Sequence, residues 1–280
     1  YAHFSGFGPK GPVASNPGFA STGFWLRSGP MADWQVPGSF PFVPTYAFGD
    51  MATSSVLLSG ILMAIIGREK TGRGTKVETS LFASGIWCNS VGIVETQFER
   101  THLNPDPFHP SDPFDTTYEC ADGKWIGVYV NEYKKDKFKL AKLLGMEDIL
   151  DDPLYDDIAT LSESGVIVEA VKRCNEIFKT RTSAEWREYL SENSVSCEVM
   201  QYTCDVSKDA QAIENHYVEE LEFADGLKVM MPCPPVHFSD YTRRPYVPTG
   251  EIGKDTGEVF SELEYSEEEI ASMREKGAIL

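Results

Sequence analysis

The feature that most constrains the fold is a long apolar segment, MATSSVLLSGILMAIIGREK, which runs from Met51 to Lys70. It is too long for a strand and apolar on nearly every side of a helix, so it predicts a buried helix. Arg68 and Lys70, followed by the glycines of TGRG, are typical of a helix C-terminus. The uninterrupted apolar part, Val56 to Gly67, is about a dozen residues long, whereas a bilayer-spanning helix needs roughly 20. The sequence therefore predicts a soluble protein with a buried helix here.

The segments on either side of this helix predict alternating strands and helices. Residues 1–49 are rich in glycine, proline and aromatic residues, which favours turns, with a strand at YAHFS and a short helix around Ala20–Arg27. After the long helix, Lys76–Thr79 predicts a short strand, and the apolar residues that follow predict a second, largely buried helix. This alternation indicates the α/β class.

A proline- and aspartate-rich segment, Thr101–Thr117, is the best candidate for a crossing between domains. Beyond it, two β-rich arms joined by Asp122-Gly123 predict a hairpin. Strands are also predicted at SVSCEVMQ and LKVMMPCPPVHFS. Two pairs with capping-box spacing predict helix N-termini: Thr182 with Glu185, and Ser266 with Glu269.

Charge excludes two classes of partner. The chain has 25 Lys and Arg against 43 Asp and Glu, a formal net charge of -18. Sequence-independent binding to nucleic acid or to an anionic membrane needs clustered cations, so neither partner is expected. A small anionic ligand held at a local cationic position is compatible with this charge.

The cysteines and the N-terminus indicate the cellular location. Six cysteines scattered without a CxxC pair are typical of free thiols in a reducing compartment. The opening YAHFSGFGPKGP has no basic region followed by an apolar signal segment, so we expect a cytoplasmic protein. Because the first residue is Tyr1 rather than methionine, we also expect a fragment or a processed product.

One carboxylate stands out, Asp50, in the stretch YAFGDMATSS at the start of the long helix. In a structural interpretation, Asp50 is the N-cap and accepts hydrogen bonds from the N–H groups of Ala52 or Thr53. In a functional one, a carboxylate held ionised by a helix N-terminus acts as a nucleophile. Gly49 beside it would allow a bulky ligand to approach the backbone. The residues alone leave both interpretations open.

Four aromatic residues before and beside Asp50 also have two interpretations. Phe40, Phe42, Tyr46 and Phe48 alternate as on a strand or an extended loop, and they form either core or the wall of a ligand pocket. No metal site is predicted, because the five histidines share no metal-ligand spacing. SGFGPKGP has no third glycine in register, so it does not predict a dinucleotide-binding turn.

The order of several motifs resembles one known family. SGFGPKGP is followed by NPGF, then by FGD at the start of a helix rich in small residues, and then by REKTGRGTKVETSL. ADGKWIGV, LLGMEDILDDPLYDD, TSAEWREYL and MPCPPVHFSDYTRRP continue the pattern over nearly the whole chain. Together these motifs resemble the family III CoA-transferases, which include the α-methylacyl-CoA racemases.

The resemblance implies an α/β architecture with a Rossmann-like large domain, incomplete here, and a smaller α+β domain. Residues 1–105 are expected to form part of the large domain, residues 106–200 the small domain, and residues 201–280 a return to the large domain. The family has a further N-terminal stretch and forms interlocked dimers. We therefore expect a homodimer, or association with a chain that carries the missing stretch.

In transferases of this family the aspartate of the GD motif is the nucleophile, and it matches Asp50. The resemblance implies transfer of coenzyme A from an acyl-CoA to a carboxylic acid through an aspartyl-CoA thioester. CoA thioesters are then substrates, and no permanently bound cofactor is expected. The residues expected to bind substrate or CoA are Gly6, Phe7, Gly8, Phe42, Tyr46, Phe48 and Gly49.

Two departures from the family pattern narrow the function. Racemases pair the aspartate with an upstream histidine, whereas this chain has Ala20 beside the corresponding turn, so two-base proton transfer loses one base. The glycine run of formyl-CoA transferases is replaced by LNPDPFHPSDPF, so oxalate specificity is not expected. The pattern resembles more the transferases of anaerobes that act on 2-hydroxy, aryl or enoyl acids, such as cinnamoyl-CoA:phenyllactate CoA-transferases. The resemblance implies an acyl pocket walled by aromatic residues: Trp25, Phe40, Phe42, Tyr46 and Phe48. A racemase or epimerase, and a non-catalytic subunit in which Asp50 is only a cap, are the alternatives.

Overall fold

The computed structural model describes residues 1–42, 44, 47–98, 106, 110, 112–248 and 250–280. Tyr46 and most of the predicted crossing at Thr101–Thr117 lie outside these residues. The chain divides into two compact units, Tyr1–Val199 and Met200–Leu280. The three-part division at residues 105 and 200 stays a prediction.

The first part of the larger unit is built on two parallel strands, β1 (Ala2–Ser5) and β2 (Val77–Ser80). Their register pairs Ala2 with Val77 and Ser5 with Ser80, so both carboxyl ends lie at one edge. Between and after the strands come a π-helical segment (Ala20–Leu26), α1 (Pro30–Asp33), α2 (Phe48–Thr71), α3 (Leu81–Cys88) and α4 (Ser90–Glu95). The predicted strands and the short helix near Ala20 are thereby confirmed.

The predicted long helix is confirmed as α2, but its predicted burial is wrong for this chain. Gly49 and Thr53 are its buried residues, whereas Leu58, Leu62 and Met63 are 51% to 67% exposed. The strands, the π-helical segment and α3 pack against one side of the helix. Because apolar side chains lie on every side of α2, those on its other sides stay exposed. At 24 residues α2 is longer than the apolar run within it, and length and composition alone would let it cross a membrane. A single helix of this kind is weak evidence for a membrane span.

The second part of this unit packs helices on a three-stranded antiparallel sheet. Its strands are β3 (Thr116–Glu119), β4 (Trp125–Tyr129) and β5 (Ser196–Val199). Its helices are α5 (Tyr133–Leu144), two 3-10 turns (Glu147–Asp151 and Pro153–Tyr155), α6 (Ile158–Glu163), α7 (Val166–Phe178) and α8 (Ser183–Glu192). The predicted hairpin is confirmed, with Gly123 at φ 73° in its turn.

Stacked aromatic residues form the centre of this second core. The rings of Tyr118 and Phe178 stack at 4.7 Å, and Trp186 packs on Phe178 at 4.8 Å. The indole N–H of Trp186 donates to the Phe178 carbonyl at 2.8 Å, which satisfies its buried polar atom. The predicted capping box is confirmed at α8, where Thr182 Oγ1 accepts from the Glu185 N–H. This core is separate from the small cluster beneath α2.

The second unit contains short helices and one hairpin. Its elements are α9 (Thr203–Val206), α10 (Ala210–Glu214), β6 (Val218–Glu222), β7 (Lys228–Pro232), α11 (Thr256–Glu262) and α12 (Glu267–Glu275). Strand β6, with the acidic sequence VEELE, was not predicted, because alternating glutamates hide its β pattern. The second predicted capping box is confirmed, since Ser266 Oγ accepts from the Glu269 N–H.

Candidate active site

Asp50 is the third residue of α2, not its N-cap. The helix begins at Phe48, and the N-cap is Ala47. The structural interpretation of Asp50 as a cap is therefore wrong by three positions. Its half-buried carboxylate still lies in the first helical turn, where the positive end of the helix dipole favours a negative charge.

The residue before α2 is strained. Ala47 has φ 53°, in the left-handed region that a residue with a β-carbon seldom occupies. Alanine has no side-chain oxygen, so Ala47 provides no cap for the first-turn N–H groups. Strain of this kind recurs at functional sites, and uncapped N–H groups beside a carboxylate are suited to stabilise an oxyanion.

Gly49 is required by packing against the π-helical segment. A β-carbon at this position would lie 2.8 Å from the Cβ and Cγ atoms of Phe24 and 3.1 Å from Cβ of Ala20. Phe24 therefore fills the space on the β-carbon side of Gly49, and binding of a ligand by Gly49 stays a prediction. The same contact places Ala20 beside the residue that precedes Asp50.

An aromatic group lies at this end of α2 and is centred on Trp25. The Trp25 ring is 5.8 Å from Phe42, 5.7 Å from Phe48 and 5.9 Å from Trp34. Trp25 is buried, whereas the other three present 38% to 63% of their surface to solvent. We call these four residues the aromatic wall.

The sequence predicted only part of the aromatic wall. Trp25, Phe42 and Phe48 belong to it, and their role as a pocket lining stays a prediction. Phe40 is 88% exposed and makes no ring contact with the wall. Trp34 was not predicted, because it follows the four-residue helix α1 in a loop without periodicity. No local signal in the sequence marked it.

The predicted turn Gly6–Gly8 follows β1 directly. A β-carbon on Gly6 would lie 2.7 Å from Cα of Gly18, so this glycine is required by close backbone packing. Gly8 has φ 96°, and its N–H donates to Ser5 Oγ at 3.1 Å. Binding of substrate or CoA by this turn stays a prediction.

Arg27, which the sequence did not single out, lies next to this turn. Its guanidinium carbon is 5.9 Å from the centre of the Phe7 ring and 5.3 Å from that of Phe82. The turn, the cation and the start of α3 therefore meet at one edge of the parallel strands.

One carboxyl group with a strongly raised pKa, that of Asp112, lies outside the aromatic wall. Asp112 is 8% exposed, and burial raises its pKa to about 6. Its Oδ1 accepts from the Phe114 N–H at 2.7 Å in the turn before β3, which is a structural role. In the described part of the chain, no three His, Cys, Asp or Glu side chains are grouped to hold a metal ion.

The arrangement at the start of α2 suits nucleophilic chemistry on a carbonyl. It combines a carboxylate in a first helical turn, uncapped N–H groups and an aromatic surface at one place. A carboxylate can attack an activated acyl group, and the N–H groups can stabilise the resulting oxyanion.

Comparison with known proteins finds relatives of this chain. Residues 1–256 match the family model described as CoA-transferase family III. The chain is 29% identical over 279 residues to (R)-2-hydroxy-4-methylpentanoate CoA-transferase of Clostridioides difficile, covering 100% of this chain and 69% of that protein. It is 26% identical to cinnamoyl-CoA:phenyllactate CoA-transferase of Clostridium sporogenes, covering 100% and 68%.

The fold has counterparts among solved structures. A CAIB/BAIF family protein from Brucella suis superposes with a TM-score of 0.71 at 20% identity, covering 94% of this chain and 67% of that one. Rv3272 from Mycobacterium tuberculosis gives a TM-score of 0.71 at 19% identity, covering 86% of this chain and 63% of that one. The predicted α/β class is confirmed. The chain spans about two thirds of the length of the proteins it matches.

Proposed function

Because the chain belongs to CoA-transferase family III, we propose that it transfers coenzyme A from an acyl-CoA to a carboxylic acid with Asp50 as the nucleophile. Membership confirms the predicted family and the enzyme class, a CoA-transferase. The observation that supports the role of Asp50 is its place in the uncapped first turn of α2, next to the aromatic wall.

The reaction is a double displacement. Asp50 attacks the thioester carbonyl of the donor, the C–S bond breaks, and a mixed anhydride and CoA thiolate result. The thiolate attacks the aspartyl carbonyl and releases the donor acid, which leaves an aspartyl-CoA thioester. The acceptor carboxylate then attacks this thioester, and the thiolate released attacks the acceptor carbonyl of the new anhydride, which restores Asp50.

Each step exchanges acyl groups of similar energy, so the reaction needs positioning and exclusion of water rather than an external energy source. CoA thioesters are substrates in this scheme, and no permanently bound cofactor takes part. The N–H groups at the start of α2 would stabilise the tetrahedral oxyanions.

The proposed acids are 2-hydroxy, aryl or enoyl acids. The aromatic wall provides flat apolar surface next to Asp50, which suits a planar or branched acyl group. The names of the two similar transferases, one for a branched 2-hydroxy acid and one for cinnamoyl and phenyllactate groups, support the same class. A role in anaerobic metabolism would accompany these substrates.

We propose further that the protein acts in the cytoplasm as a homodimer, or with a chain that carries the N-terminal stretch of the family. The exposed apolar side chains of α2 support a protein partner, because a helix apolar on all sides is stable in water only when it is covered. Light scattering at increasing protein concentration tests this assembly.

Trapping of the covalent intermediate tests the role of Asp50. After incubation with a cinnamoyl-CoA donor, hydroxylamine should convert Asp50 to a hydroxamate that peptide mapping locates. Asp50→Asn should lower the transfer rate by at least about 10³-fold, the scale of losing a covalent nucleophile. Asp205→Asn, which also removes an aspartate from a first helical turn, is the matched control and should keep full activity. Full activity in Asp50→Asn would refute the proposal.

Two alternatives predict other results. A racemase would exchange the α-proton of an acyl-CoA with deuterated water without any acceptor acid. Ala20, beside Gly49, offers no second base for that reaction, so we expect no exchange. A non-catalytic subunit would form no Asp50 adduct in the presence of the chains that co-purify with it.

A further inference from the structure

Arg27 lies near two aromatic rings at the surface. Its guanidinium lies over Phe7 and Phe82, and the residue is exposed. Phe7 follows β1, and Phe82 lies in the first turn of α3, directly after β2. Cation–π attraction to two rings within about 6 Å restrains a guanidinium and leaves N–H groups free to bind an anion.

The position of Arg27 is where parallel α/β sheets bind ligands. β1 and β2 are parallel, and their last residues, Ser5 and Ser80, are register partners. Ligands of such sheets bind outside the carboxyl ends of the strands, where the connecting loops diverge. The two rings that hold Arg27 both come from residues immediately beyond these ends.

Arg27 also has no neutralising partner within the described residues, although the chain carries a net charge of -18. Four other arginines are paired with carboxylates: Arg68 with Glu69, Arg173 with Asp148, Arg187 with Glu198, and Arg243 with Glu219. Arg181 also lies over two rings, those of Trp186 and Tyr189, without an ion pair among the described residues, so the place of Arg27 beside the strand ends is what distinguishes it. A cation that is fixed in orientation and unpaired, on an acidic protein, is suited to bind an anionic ligand.

We propose that Arg27 binds a phosphate group of coenzyme A, an inference that rests on the proposed function. The acceptor carboxylate is the other anion in the reaction, but it must reach Asp50 to react. Arg27 contacts Phe7 and Phe82, whereas Phe24 of the same segment contacts Gly49 beside Asp50. We therefore assign a non-reacting anion to Arg27, and the phosphates of coenzyme A, which the long pantetheine arm separates from its thiol, are such groups.

Binding of CoA and of pantetheine, which lacks the phosphates, tests this assignment by isothermal titration calorimetry. Arg27→Gln should weaken CoA binding about tenfold or more, the scale of one charge-assisted hydrogen bond, and leave pantetheine binding unchanged. The KM of the acyl-CoA should rise with little change in kcat. Arg27→Lys keeps the charge without the fork and should lose less. Arg274→Gln, which removes one charge from the exposed helix α12, is the control and should bind CoA normally.

Three outcomes overturn the assignment. CoA binding to Arg27→Gln as tight as to the wild type, or an equal loss for pantetheine, would show that Arg27 does not contact a phosphate. If Arg27→Gln does not fold, failure of pyrophosphate to compete with CoA on the wild type gives the same conclusion. If the Asp50 adduct still forms in these cases, only this inference fails. If the wild type binds no CoA, the proposed function fails with it.

Discussion

Replacing Gly49 by alanine tests whether tight packing on the π-helical segment positions Asp50. The new β-carbon would lie 2.8 Å from two atoms of Phe24, at least 0.6 Å inside the 3.4 Å limit of ordinary contact. One of those atoms is the Phe24 Cβ, which cannot move without its backbone. The start of α2 must therefore shift away from the segment that carries Trp25.

The magnitude follows from a matched substitution in the same helix. Gly67 has nothing within 4 Å of its added β-carbon, so Gly67→Ala should stabilise α2 by up to about 1 kcal/mol through helix propensity. Gly49→Ala gains less stability from helix propensity, because the residue lies at the helix end, and overpacking lowers the free energy of unfolding by about 1–3 kcal/mol. The two variants should differ by about 1–3 kcal/mol in the free energy of unfolding, with Gly49→Ala the less stable.

Urea unfolding followed by circular dichroism measures the difference in stability, and steady-state kinetics measures the effect on the site. Since a displacement of about 1 Å near a reacting group can cost 10²-fold, we expect kcat/KM of Gly49→Ala to fall at least about tenfold. Gly67→Ala should keep the wild-type kcat/KM. Equal stabilisation by both substitutions would refute the packing argument, and unchanged kinetics of Gly49→Ala would refute its link to Asp50.

Three further predictions concern charge, the core and the aromatic wall. Burial raises the pKa of Asp112 to about 6, so its ionisation in the folded state is penalised and stability falls as pH rises from about 4 to about 6. Asp112→Asn should therefore add about 1–2 kcal/mol to the unfolding free energy at pH 8 and about half of that at pH 5; equal gains would contradict this. Leu190→Ala, at a position with 0% exposure, should cost about 2–5 kcal/mol in urea unfolding, and a cost under about 1 kcal/mol would contradict its core role. Trp34→Ala should raise the KM of an aryl-acyl substrate about threefold to tenfold and leave the KM of a short straight-chain substrate unchanged. An unchanged KM for the aryl-acyl substrate would show that Trp34 lies outside the acyl pocket.

Local patterns in the sequence predicted the elements well. The hairpin at Asp122-Gly123 and the capping boxes at Thr182 and Ser266 were confirmed, because each depends on residues a few positions apart. The order of the glycine turn, the GD motif and TGRG was likewise sufficient to indicate the family that the comparisons show.

Contacts between distant segments were beyond these patterns. Trp34 and Arg27 gain their interest only from neighbours in space, such as Trp25 and Phe82. Their own surroundings in the sequence have neither periodicity nor a motif, so no local signal marked them.

A helix beginning near Asp50 follows from the amino-acid sequence alone, because apolar and small residues over such a length favour no other regular structure. The tertiary structure decided what that helix does. It placed Asp50 in the first turn rather than at the cap, filled the space beside Gly49 with Phe24, and left the far side of α2 exposed. The physical reason is that hydrogen bonds of a helix are local, whereas the burial of a side chain depends on whichever distant segment packs against it.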